Sequence, residues 1–249
     1  PMFTTDEIWC QLFSEPGSGS DLASLSTKAV DDGDGYIVNG QKVWTTLGHL
    51  AKWGLIVTRT DPTVPKHRGL TFFIVDMESD GVDVRPLRQI TGEAEFNEVY
   101  FTDVKIPKEN ILGSLGEGWR VSLTILMNER VAIGGSVRER GSGAPGHLIQ
   151  LWKEKNLNDQ VTRDNLIKLW IEQEAVRLTN MRAVENREKG TPGPEGSTSK
   201  LYEAEINKAS YEFGMDMLGN DGLLFPRGYA LTQPAVSYTH LRAHETFAN

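Results

Sequence analysis

The 249-residue chain carries 26 Lys and Arg against 34 Asp and Glu, a formal charge of -8 and a pI near 5.2. That balance argues against nucleic acid as a partner, and no apolar run is long enough to span a membrane. Cys10 is the single cysteine, which excludes an internal disulfide and fits a reducing, cytoplasmic compartment.

A hydrophobic content of 39% with six tryptophans is enough for a real core. Neither a Walker loop nor a G-x-S-x-G nucleophile elbow is present. His49, His67 and His147 show no ligand spacing, so no metal site is expected.

The first element in the chain is the loop Leu12-Phe-Ser-Glu-Pro-Gly-Ser-Gly-Ser-Asp21. Its glycines let backbone approach a flat ligand, and its hydroxyls and Asp21 can tie the loop to itself. It is not a dinucleotide fingerprint, because Leu22 stands where a third glycine belongs. Tyr36-Ile-Val-Asn-Gly-Gln-Lys-Val-Trp44 then reads as two short strands turning at Asn39-Gly40, delivering Trp44, Thr45 and Thr46 to a strand end.

Further strands are expected at Leu55–Thr58, Leu70–Val75 and Val99–Phe101. Turns separate them at Asp31–Gly35, Asp61-Pro62 and Ser79–Gly81. Glu93, Glu95 and Glu98 read as surface charges. From Glu117 the period becomes helical. One helix is expected from Trp119 to about Arg140, with Gly134-Gly135 a weak spot. A second runs from Thr162 to Glu188 with Leu166, Leu169, Trp170, Val176 and Met181 inward. After the loop Gly190–Gly196, a third runs from about Ser197 to Leu218 with Tyr202, Ile206, Ala209 and Phe213 on one face.

The order Ser-Glu-Pro-Gly-x-Gly-Ser-Asp, then Asn-Gly-Gln-Lys-x-Trp-x-Thr, resembles the middle domain of the acyl-CoA dehydrogenases. The likeness runs from about Ile8 to about Leu224. It implies an α+β fold: a β-barrel middle domain at residues 10–116, followed by part of an α-helical bundle at 117–235. Residues 1–9 would be the remnant of an N-terminal helical domain, and the chain an internal piece of a longer enzyme.

The resemblance also implies FAD as cofactor and an acyl-CoA substrate desaturated between its α and β carbons. An electron-transfer flavoprotein would be the acceptor, and the parent a homodimer or homotetramer. An acyl-CoA oxidase, a flavin monooxygenase or a non-catalytic acyl-CoA-binding member are the alternatives on the same scaffold.

A flavin needs hydrogen bonds at its ring edge and apolar cover on its faces. Ser14 matches the family hydroxyl that bonds the ring near N5, with Phe13 beside it and Gln11 opening the strand. Trp44 and Thr46 match the family's tryptophan beside the flavin and its threonine partner. Ser20 matches a serine near both the flavin and the thioester arm.

Proton removal from a thioester needs a carboxylate in a dry pocket. Many members of the family carry this glutamate late in the helical domain, in a part this chain does not include, and a minority carry it on an earlier helix within Glu-Arg. Leu126-Met-Asn-Glu-Arg130 matches the latter, which makes Glu129 the catalytic candidate beside that alternative. Ile125, Leu126 and Ile133 share its face by periodicity. Arg130 matches an arginine that helps hold the acyl-CoA.

Two family features are missing. No Arg-x-x-Phe-Gly segment occurs near Glu154–Asp159, and Gly219-Asn-Asp-Gly222 keeps only the outer glycines of a Gly-Gly-x-Gly run. The tail from Val236 to Asn249 resembles an in-frame translation of a sequencing adaptor, whose frame permits only Ser, Pro, Thr or Ala before it; Ala235 complies. The tail, with His240 and His244, is therefore set apart from fold and function.

Overall fold

In the computed structural model the described residues are 4, 6–89, 92–134, 137–190 and 193–223, without the side chains of 130–134 and 223. The tail set apart at 236–249 lies outside them. Two compact units divide the chain between Ile125 and Leu126.

The first unit is built on seven strands: β1 (Trp9–Leu12), β2 (Lys28–Asp31), β3 (Gly35–Thr46), β4 (Trp53–Arg59), β5 (Leu70–Asp76), β6 (Val82–Leu87) and β7 (Phe96–Pro107). Their order in the sheet is β1-β4-β2-β3-β7-β6, with β5 on the other edge of β4. β1 pairs with β4 in parallel, Cys10 opposite Gly54, while β3 and β7 form a long antiparallel pair. β-branched and aromatic residues suit this pleated surface. Leu12, Val38, Ile56, Phe73, Val75, Val99, Phe101, Val104 and Ile106 supply its inner face. Each such buried side chain contributes on the order of 1.5–3 kcal/mol relative to exposure.

Asn39-Gly40 does not turn the chain. β3 runs straight through it, and the register against β7 slips there between Val38 and Gly40. Asn39 caps this bulge from outside: its Oδ1 accepts from the Asp103 N–H (2.9 Å) and its Nδ2 donates to Asp103 Oδ1 (3.0 Å). Gly40 has φ +155, and a Cβ there would sit 2.5–2.8 Å from Thr27. The Asn-Gly pair is thus used for a bulge and a close strand approach, not for the expected hairpin.

Helix α1 (Gly118–Gly134) starts within the first unit, where Gly118 lies so close to the Leu70–Thr71 backbone that a Cβ would meet it at 2.7 Å. Among the described residues the helix runs to Gly134, and residues 137–139 are not helical, so it does not reach the expected end at Arg140. A separate helix, α2 (Ala144–Glu154), was not foreseen; Pro145 in its first turn suits a helix start.

In the second unit α3 (Gln160–Glu188) and α4 (Glu195–Leu218) pack on each other and on α2. Asp159 caps α3 by accepting from the Val161 and Thr162 N–H groups, which moves its start ahead of Thr162. On α3 the buried stripe is Leu166, Gln173, Val176, Asn180 and Ala183, while Met181 is exposed. On α4 it is Ser199, Ile206, Ser210 and Gly214 with Glu195; Tyr202 is exposed. Small and polar residues take places that the hydrophobic period gave to larger ones.

Candidate active site

Glu15, buried, accepts from the Ser26 N–H (2.6 Å), the Ser26 hydroxyl (2.9 Å), the Thr27 N–H (3.0 Å) and Lys42 Nζ (2.9 Å). Burial on its own would raise its carboxyl; the Lys42 charge and these donors reverse that and hold it at about 2. Lys42 is 0% exposed and also donates to the Phe13 carbonyl at 3.0 Å. Burial draws its ammonium down to about 8, against the opposing charge of Glu15.

Between those two anchors lies Ser14, whose own carbonyl accepts from the Val43 N–H at 2.9 Å. The loop segment Phe13–Glu15 is therefore fastened to β3 by three bonds. Beyond it, Glu15 and Ser18 exchange backbone bonds of 2.9 and 3.0 Å, and the buried Ser18 hydroxyl donates to the Asp21 carbonyl at 2.7 Å. Asp21 turns outward to Lys66 (2.6 and 2.8 Å) and Ser24. The Lys66 hydrogen bond is the main reason its carboxyl lies below the usual range.

The strand end beside Ser14 is held just as firmly. Lys42 pairs with Val99 and Thr45 with Asn97, so Val43 and Trp44 together oppose Glu98 in a second bulge. Trp44 takes φ +59, a left-handed conformation that costs a bulky residue on the order of 1–2 kcal/mol. The residue is 37% exposed, and its ring stands edge-on to Phe96, centroids 6.1 Å apart.

Asn97 fixes the next residue by donating to the Thr45 carbonyl (2.9 Å) and to the Glu95 carbonyl (3.1 Å). With both amide hydrogens committed, its oxygen faces His49 Nδ1 at 3.1 Å, so that nitrogen carries the proton. Glu93, Glu95 and Glu98 are half-buried along this edge, not open surface charges.

The fold thus brings Ser14, Trp44 and Thr46 onto neighbouring backbone, with the Trp44 ring and Thr46 on the exposed side of β3. A hydroxyl-bearing edge beside an exposed indole suits a flat heteroaromatic ring with acceptors on its rim. Gln11 is exposed on β1, and Ser20 is exposed past the tight turn. The Phe13 ring is buried, edge-on to Phe72 at 5.6 Å, so this residue belongs to the core and offers no ring face.

Glu129 is half-buried on α1, as are Ile125 and Leu126 one helical turn before it, and it lies in the second unit. The side chains of Arg130 and Ile133 lie outside the described residues. Lys42, Glu15 and Asn97 were not singled out from sequence. Lys42 could have been, since its even spacing from Val38 on β3 points it inward, where a lysine needs a partner. Among the described residues no His, Cys, Asp and Glu group is arranged to hold a metal, and no helix is long and apolar enough to cross a membrane.

Residues 10–104 match the family model for the acyl-CoA dehydrogenase middle domain, and residues 116–245 that for its C-terminal domain. The chain belongs to the acyl-CoA dehydrogenase family. The second match continues into the tail. Acyl-CoA dehydrogenase FadE34 of Mycobacterium tuberculosis is 42% identical over 219 residues, 87% of this chain and 30% of that protein.

An acyl-CoA dehydrogenase from Geobacillus kaustophilus has a TM-score of 0.84 at 28% identity, covering 99% of this chain and 66% of its own. The Tcur3481-Tcur3483 steroid acyl-CoA dehydrogenase has a TM-score of 0.81 at 26% identity, covering 96% and 63%. The chain therefore spans only part of the dehydrogenases it matches. The acyl-CoA dehydrogenase fold accounts for both the open sheet and the helices after it.

Proposed function

We propose that this chain supplies the flavin-holding and proton-abstracting parts of an FAD-dependent acyl-CoA dehydrogenase. The observation that carries the reading is Ser14, fastened to β3 beside a left-handed, exposed Trp44. Strain of this kind is kept where surrounding structure enforces it, and it concentrates at ligand sites. Ser14 and Thr46 hold the ring edge, and Trp44 covers a face. Gln11 and the backbone at Phe13 border the same strand ends, and Ser20 serves the thioester arm. FAD, when bound, supplies the two-electron acceptor for a hydride from the substrate's β carbon.

Glu129 takes the α-proton. Its half-burial, with Ile125 and Leu126 four and three residues before it on the same helix, supports the partly apolar setting a carboxylate base needs. Arg130 helps hold the acyl-CoA. An electron-transfer flavoprotein then collects the electrons, and copies of the parent associate. The likeness to a steroid acyl-CoA dehydrogenase makes bulky, ring-bearing acyl groups the first substrates to assay.

The test is purification of the full-length parent, measurement of its FAD content, and assay of 2-enoyl-CoA formation with an artificial electron acceptor. FAD at about one per chain with enoyl-CoA produced is the expected result. A parent without FAD overturns the reading, and hydrogen peroxide released in step with product converts it to an oxidase.

A further inference from the structure

Building on that reading of Ser14, we propose that Lys42 is a positioning residue of the flavin site: its buried ammonium sets the Phe13–Glu15 backbone from which the Ser14 hydroxyl is presented. One side chain reaches both neighbours of Ser14, the Phe13 carbonyl at 3.0 Å and Glu15 Oε1 at 2.9 Å. The adjacent Val43 N–H holds Ser14's own carbonyl at 2.9 Å. Glu15 carries the constraint onward to Ser26 and Thr27, so the segment is fixed on both sides.

Stability alone does not call for this arrangement. Burying an ion pair costs several kcal/mol per charge, and an apolar pair of the same volume is often as stable or more so. What an apolar side chain cannot do is donate to the Phe13 carbonyl. Lys42 therefore trades stability for a defined backbone geometry, at the one place where a hydroxyl must meet a ring edge. The Lys42 side chain is 0% exposed, so it acts through that backbone and never touches a ligand itself.

The variant Lys42→Met combined with Glu15→Gln, in the full-length parent, separates positioning from mere support. It removes both charges; the amide oxygen can stand in for Oε2 and still accept from Ser26, while the Thr27 N–H and the Phe13 carbonyl each lose their partner. Positioning predicts a folded protein with at least tenfold weaker FAD binding and a shifted visible spectrum of the bound flavin. A folded variant with wild-type affinity and spectrum overturns the proposal.

Hydrogen exchange on the unmutated parent keeps the test decisive if the variant does not fold. FAD should slow exchange of the Ser26, Thr27 and Val43 amides at least tenfold, and unchanged exchange overturns the proposal. A parent that binds no FAD removes the flavin reading together with this inference. FAD bound normally by the double variant removes this inference alone.

Discussion

At the scale of single residues, the buried pair decides most of what can be measured. Glu15 has a folded pKa of about 2, below its ordinary value, because Lys42 and several donors outweigh burial. Its contribution to stability is therefore complete above the unfolded carboxylate pKa and is lost as pH falls towards 2. That loss amounts to no more than about 3 kcal/mol from this one group. Urea unfolding followed from neutral to acid pH should show it, and Glu15→Gln should flatten that part of the profile. Lys42→Met alone strands a buried carboxylate, and should cost on the order of 3–5 kcal/mol in the same assay. Trp44, Thr46 and Ser14 were singled out from sequence by the family motif, and the fold brings them onto neighbouring backbone. The Glu15–Lys42 partnership was not, because alternation tells which side a side chain faces and not what it meets there.

At the scale of elements, the errors have local causes. Asn39-Gly40 carries a strong turn signal, yet Asp103 satisfies the asparagine from across the sheet, and Thr27 leaves space only for a glycine. Gly40→Ala should therefore destabilise the first unit by about 1–3 kcal/mol, read as a lower denaturation midpoint; an unchanged midpoint would mean that Thr27 can give way. The helical period found α3 and α4 and placed Leu166, Val176 and Ile206 inward as observed, but it also turned Met181 and Tyr202 inward, which are exposed. Closely packed helices admit Ser199, Ser210 and Gly214, and hydrophobicity does not mark such positions. The Asp159 cap explains why α3 begins before Thr162, and Asp159→Ala should cost roughly 1 kcal/mol in thermal unfolding.

At the scale of the whole molecule, the proposed function assigns flavin holding to a strand end of the first unit and proton abstraction to Glu129, a half-buried carboxylate in the second. The family was legible because both quoted motifs are short and contiguous in the chain; the fold joins the loop that carries the first to β3, which carries the second, through the Val43 N–H and the Ser14 carbonyl. The bond network that fixes them depends on contacts across 27 to 29 residues of chain, which no local pattern encodes. Glu129 as base is the central claim about chemistry. Anaerobic addition of acyl-CoA to the full-length parent and to its Glu129→Gln variant, both with FAD bound, tests it most directly. The account predicts loss of the flavin's visible absorption in the parent and a rate at least a hundredfold lower in the variant; equal bleaching in both would contradict it.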